Sequence, residues 1–179
     1  MPEIDVRPVT KNDITELSAF EHGYYSEYVW QMAMDFEPQN IQAAFRRVRL
    51  PRRISVAYPR KKVKIFSDLD QPEAFLLAEF NQRPVGYIKV LAEREAKLLR
   101  ITDLVVSASL RRQGIGRGLI LTVMNLASSR GFISLMLEMQ SKNDPAVAMA
   151  SKMGFVFCGF RDHYFPNQEL ALFYSRFIR

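Results

Sequence analysis

The stretch Arg111-Arg112-Gln113-Gly114-Ile115-Gly116-Arg117-Gly118 constrains this chain more than any other, because it joins a β-rich run to an apolar-faced helix. Before it, Ala74 to Phe80 and Val85 to Leu91 flank Asn81-Gln82-Arg83-Pro84, a hairpin-like turn, and Leu98 to Val106 supplies a third strand-like run. After it, Leu119, Ile120, Val123, Met124, Leu126 and Ala127 mark one face of a helix that Gly131 closes. Free amides in the first turn of a helix carry the positive end of its dipole, and residues without Cβ let a pyrophosphate approach the backbone. Arg111, Arg112 and Arg117 add positive charge there. A nucleoside-triphosphate loop requires a Gly-Lys-Ser/Thr ending, and none is present. A dinucleotide fold requires Gly-x-Gly-x-x-Gly in a parallel β-α-β unit, whereas the spacing here is Gly-x-Gly-x-Gly after an antiparallel meander.

The rest of the chain supports one compact domain over residues 1–179, a length that a single core serves. Glu3 to Arg7 reads as a short strand, and Thr10 and Asp13 open a helix continued by Ile14, Leu17 and Phe20. Glu21 to Asn40 is rich in tyrosine and holds Trp30, and Ile41 to Val48 has helical spacing that Pro51 ends. Ile54 to Phe66 reads as two short β pieces around a solvated basic tip, Pro59-Arg60-Lys61-Lys62. Phe132 to Met139 is a strand, Pro145 to Met153 a helix, Phe155 to Phe160 a strand, and Leu170 to Ile178 a last strand pairing beside it.

Charge and cysteine usage narrow the setting. Lysine and arginine outnumber aspartate and glutamate by 25 to 19, which favours an anionic ligand; no base-reading motif accompanies the charge, so no nucleic-acid partner is expected. No apolar run approaches the roughly 18 residues of a membrane-spanning helix. The Met1 to Arg7 stretch lacks a secretory layout and the lone Cys158 cannot form an internal disulfide, so a reducing cytoplasm is the expected location. His22, His163 and Cys158 lack metal-ligand spacing, and no metal is expected.

Arg111, Gly114 and Gly116 fill the Arg/Gln-x-x-Gly-x-Gly/Ala signature of the GNAT superfamily of N-acetyltransferases, which the chain resembles. Ile101 to Val106 resembles that family's fourth strand and Leu135 to Gln140 its fifth; Asn143, Ala146 and Gly154-Phe155 match its Asn-x-x-Ala and Gly-Phe pattern. The resemblance runs from Val85 to Phe160. It implies an α/β (α+β) fold: a mixed, mostly antiparallel sheet of about seven strands flanked by helices, with splayed fourth and fifth strands. It also implies acetyl-coenzyme A as cosubstrate, held by Leu104, Val105, Val106, Arg111, Arg112, Gln113, Gly114, Ile115, Gly116, Arg117, Gly118, Asn143 and Ala146. Within the family, Leu137 to Asn143, Cys158-Gly159-Phe160 and the Glu169 to Tyr174 ending are similar to streptothricin acetyltransferases.

An alkyl ammonium of pKa about 10 must lose a proton before it attacks a thioester. Glu138 and Asp103 are the candidates to handle that proton or bind the amine, and a backbone amide of Val105 or Val106 is the candidate for the oxyanion. The family's usual thiolate-protonating tyrosine aligns with Ala150, so Tyr164, after the sixth strand, is the expected replacement, with Tyr174 second. Tyr24, Tyr25, Tyr28 and Trp30 can line an amine pocket or simply pack. The expected acceptor is a primary amine, of a small molecule in preference to a protein, and the chain is expected to be a monomer or homodimer. A catalytically weak acyl-coenzyme A sensor, suggested by Ala150, is the alternative.

Overall fold

The computed structural model describes residues 4–67 and 72–178. In chain order the elements are β1 (Asp5–Pro8), a 3-10 turn into α1 (Ile14–Ala19), β2 (Tyr24–Glu37), β3 (Asn40–Val56), α2 (Lys62–Ser67), β4 (Ala74–Phe80), β5 (Arg83–Glu93), β6 (Leu98–Val106), α3 (Ile115–Ser129), β7 (Ser134–Gln140), α4 (Asp144–Lys152), β8 (Val156–Arg161) and β9 (Ala171–Phe177). Seven strands form one sheet in the order β1-β4-β5-β6-β7-β9-β8, antiparallel except between β6 and β7. The family's fourth and fifth strands correspond to β6 and β7. Glu3, placed in the first strand by sequence, lies outside the described residues.

The meander forms where its turn chemistry put it. Asn81 and Gln82 both take positive φ, the geometry of a two-residue turn whose twist matches the flanking strands. Asp13 closes the first helical turn by accepting from both the amide and the hydroxyl of Thr10 at 2.7 Å, the reciprocal half of a capping box with Thr10 as N-cap. α3 buries Ile115, Leu119, Ile120, Val123 and Ala127 against one sheet face, each large side chain stabilising the fold by about 1.5–3 kcal/mol. The other face packs α1 and α2 through Leu17, Ile65 and Phe66 against Phe75, Leu77 and Tyr87. Alternation along β4 divides the two faces, with Ala74 and Ala78 on the first and Phe75 and Leu77 on the second.

Two expectations fail. Ile41 to Val48 is not a helix but part of β3, which pairs with β2 in a long two-stranded hairpin from Tyr24↔Val56 to Glu37↔Asn40. Pro51 interrupts nothing, because the ladder passes from Ser26↔Ile54 to Tyr28↔Arg49 and leaves residues 50–53 in a bulge where its missing N–H costs little. The arm is fastened to the sheet by Trp30 N–H, which donates to Ser141 O at 2.9 Å, and by Arg47, whose Nε and Nη2 grip Asp144 at the start of α4 at 2.7 and 2.9 Å. The second failure is the solvated basic tip: Lys62–Ser67 is helical, and Arg60 turns inward.

Candidate active site

β6 and β7 pair only from Leu98↔Ser134 to Ile101↔Leu137. At that point β6 bulges: Val90 faces Ile101 and Lys89 faces Asp103, leaving Thr102 as the extra residue. β7 meanwhile stays paired to β9 through Glu138, Met139 and Gln140, so the two strands part. The gap is the mouth of a cleft of about 450 Å³, lined from both faces of the sheet. Ser107 N–H donates to Val85 O at 2.9 Å. The alternation of an antiparallel ladder puts the Val105 amide on that same side, toward β5, and leaves those of Leu104 and Val106 on the parted edge.

One end of the cleft is the glycine turn. Arg112 and Gly114 take positive φ (68° and 92°), and Gly114 caps α3 in the left-handed conformation. Gly118 N–H donates back to Gly114 O at 2.9 Å, which makes Gly118 the first amide engaged by the helix and leaves those of Ile115, Gly116 and Arg117 outside the ladder. A Cβ on Gly116 would meet Leu104, Val106 and Met149 at 3.7 Å, ordinary contact, so the glycine lies snugly on the cleft floor. Arg112 and Arg117 are exposed at this mouth.

Most of the residues expected to hold a cofactor line this cleft: Leu104, Val105, Val106, Arg111, Arg112, Gly114, Ile115, Gly116, Arg117, Asn143 and Ala146. Gln113 and Gly118 lie outside its lining. Arg111 is spent on structure, its guanidinium donating to Val106 O (3.0 Å), Gly23 O (2.8 Å) and Glu21 O, which ties the end of β6 to the approach to β2. Asn143 is also partly committed, since Oδ1 accepts from Ala146 N–H at 3.2 Å as the cap of α4.

The other end is a knot of buried acids, tyrosines and arginines. The Glu138 side chain is 0% exposed; Oε1 accepts from Arg60, and Oε2 accepts from Tyr164 at 2.6 Å and Arg100 at 3.2 Å. The Asp103 side chain, 3% exposed, accepts from Tyr58 and Thr102 hydroxyls at 2.8 and 2.9 Å, with Arg60 Nη1 3.8 Å away. Burial pushes the hydroxyls of Tyr24 and Tyr58 upward, and the charges of Glu169 and Asp103 respectively push the same way, so both stay protonated. Tyr164 is shifted upward by burial and by its bond to Glu138. Burial lowers the pKa of His22, keeping it neutral; Nδ1 faces Phe20 O at 2.8 Å, and Nε2 accepts from Tyr87 at 2.7 Å.

Glu138 and Asp103 therefore meet at the parting point, as their strands implied. Tyr164 reaches Glu138 but does not line the cleft. Tyr24 does line it, with its hydroxyl on Gln140 Oε1 at 2.9 Å; Tyr25 and Tyr28 instead stack against Arg53 and Arg47, and Trp30 packs beside Phe45 and Phe157. Ala150 is 0% exposed and packs in the core. Sequence reasoning missed His22, Tyr58 and Arg60 as lining residues. The run Tyr58-Pro59-Arg60 carried no periodicity that would have flagged them.

A strand that parts from its neighbour beside a glycine-capped helix is the layout that the sequence resemblance implied, and sequence comparison agrees. Residues 27–155 match the Acetyltransferase (GNAT) family. The chain belongs to that family. It is 32% identical over 114 residues to N-acetyltransferase 8B of Rattus norvegicus, covering 62% of this chain and 50% of that protein. It is 41% identical over 74 residues to streptothricin acetyltransferase of Streptomyces lavendulae, covering 41% of this chain and 39% of that one. The chain thus spans half or less of these curated relatives. In fold it superposes on the crystal structure of a nourseothricin acetyltransferase with a TM-score of 0.83, at 20% identity and over 98% of this chain and 99% of that one. Among the described residues, no helix is long and apolar enough to cross a membrane.

Proposed function

We propose that this chain transfers the acetyl group of acetyl-coenzyme A to a primary amine of a small molecule by direct attack through a tetrahedral intermediate. The observation that carries this reading is one continuous cleft. It runs from the unladdered amides of Ile115, Gly116 and Arg117, through the gap between β6 and β7, to the buried cluster around Glu138 and Asp103. The diphosphate of the cosubstrate sits on those amides, with Arg112 and Arg117 at the mouth. Its pantetheine arm lies along the free edge of Leu104 to Val106, where it takes the place of a missing strand.

The amine, once neutral, attacks the thioester carbon and the carbonyl oxygen gains the charge. The Val106 amide, on the parted edge, stabilises that oxyanion, a contribution of about 3–4 kcal/mol for one well-aimed donor. Collapse breaks the carbon–sulfur bond; the attacking nitrogen gives up one proton to water in the open cleft as the amide forms, and the departing thiolate takes one up, so the exchange is neutral overall. Tyr24 lines the cleft and Tyr164 does not, which favours Tyr24 as the donor; its hydroxyl, bonded to Gln140 Oε1 before the reaction, turns from that partner to reach the sulfur. Glu138 and Asp103 orient the acceptor and its surrounding donors rather than acting as free bases, since three donors occupy Glu138 and two occupy Asp103. The resemblance to streptothricin acetyltransferase supports a small-molecule acceptor.

The test is coenzyme A release measured across monoamines, diamines, amino acids and peptides. Amine-dependent release, fastest with small amines, is the expected result. Cofactor binding with no release from any amine would replace the enzyme with an acyl-coenzyme A sensor, and release with peptides alone would move the acceptor to a polypeptide.

A further inference from the structure

The acceptor end of the cleft already holds a cation, and the chain itself provides it. Arg60 lies between the two strand elements that carry Glu138 and Asp103, bonds Glu138, donates to Thr102 O at 2.7 Å, and stands 5.2 Å from the centre of the Phe165 ring. Two buried carboxylates, a carbonyl and an aromatic face form a cage for positive charge. The other cation, Arg100, is part of β6 and bridges Glu93 at 3.1 Å as well as Glu138, so the sheet holds it in place. Arg60 is different. It follows Pro59 in the connection between β3 and α2, outside every strand and helix, and lines the open cleft. It is the cage contact that can swing away without breaking a ladder.

We propose that Arg60 is an exchangeable counter-ion: the acceptor carries a second, charged amine that displaces the guanidinium and takes its place against Glu138 and Asp103. This rests on the acetyl-transfer reading. The attacking amine must be neutral when it meets the thioester, so it cannot itself satisfy these carboxylates. A remote ammonium on the same molecule can. A monoamine leaves Arg60 where it is and finds the acceptor end partly filled. The substrate class is therefore a diamine or other oligoamine rather than a simple amine or a neutral amino compound.

The experiment compares 1,4-diaminobutane with n-butylamine at matched ionic strength. In the wild type, kcat/KM for the diamine is expected to exceed that for the monoamine at least tenfold. In Arg60→Lys, which keeps the charge but loses the two-point grip, and in Arg60→Ala, the KM for the diamine is expected to fall further. Independently of turnover, Arg60→Ala melts at a lower temperature than wild type, and the diamine is expected to restore several degrees where n-butanol, which carries no ammonium, restores none. Equal kcat/KM for the two amines in the wild type, or a diamine KM in Arg60→Lys that rises instead of falling, overturns the exchange. So does an Arg60→Ala protein that the diamine stabilises no more than n-butanol does. If coenzyme A binds but no amine is acetylated, the transferase reading fails, and the melting comparison alone still decides whether the cage takes an external diamine.

Discussion

Replacing Gly114 with aspartate tests the anion site while barely touching the fold. Gly114 holds φ 92° and ψ −3° at the start of α3. A side chain there costs about 1–2 kcal/mol in the left-handed region. Aspartate recovers about 0.5–1 kcal/mol of this by capping free amides at the positive end of the helix dipole. Net stability therefore changes by about 1 kcal/mol or less, roughly 2–4 °C in Tm for a chain of this size. Cofactor binding changes far more. The new carboxylate competes for the amides of Ile115 to Arg117 at the start of α3, and two unit charges about 5 Å apart at an effective dielectric near 20 repel by about 3 kcal/mol. Screening by salt trims this to about 2 kcal/mol, equivalent to roughly a 30-fold rise in Kd. Calorimetric titration with coenzyme A measures the affinity, and thermal unfolding of the same samples measures the fold. Gly114→Ala is the control: it carries the backbone strain without the charge and is expected to lose less than about threefold in affinity. Wild-type affinity in the aspartate variant, or an equal loss in the alanine variant, refutes the electrostatic reasoning.

Gly116→Ala is expected to fold and bind coenzyme A within about threefold of wild type, with Tm raised by better helix propensity, because its Cβ meets only side chains at 3.7 Å. Gly86→Ala behaves in the opposite way: its Cβ would lie 2.8 Å from Val105 O, so β5 and β6 must shift, and a loss of about 1–3 kcal/mol in urea unfolding is expected together with a fall in kcat as the Val106 amide moves. Glu138→Gln is expected to lower kcat by a similar factor at neutral and alkaline pH, since the group is held by Arg60, Arg100 and Tyr164; a loss confined to neutral pH would instead identify Glu138 as a proton acceptor.

The residues that were legible in the sequence are those whose reasons are local. The hairpin turn within Asn81 to Pro84, the glycine-rich passage from strand to α3 and the apolar face of that helix each follow from a few neighbouring residues, and all three form as expected. Asp103 and Glu138 were legible one step further out, because their strands were known to part. The β2–β3 arm was not legible. Ile41-Gln42-Ala43-Ala44-Phe45 has helical spacing and few β-branched residues; what makes it a strand is its partner, with Phe36 opposite Ile41 and Met32 opposite Phe45. Arg60 failed for a related reason. A basic run is normally solvated, but two buried carboxylates, remote in sequence, draw this one inward. Tyr164, expected after the sixth strand as the replacement donor, bonds Glu138, a partner remote in sequence.

An opening made by two strands drifting apart, unlike a pit sunk into one side, has two doorways. Donor-side residues come from the glycine turn and α4, while His22, Tyr58 and Arg60 guard the far doorway from a separate stretch of chain. The two doorways are nonetheless joined, because Arg111 of the glycine turn holds the backbone of Glu21 and Gly23, next to His22. A change at one threshold is therefore felt at the other through a single guanidinium.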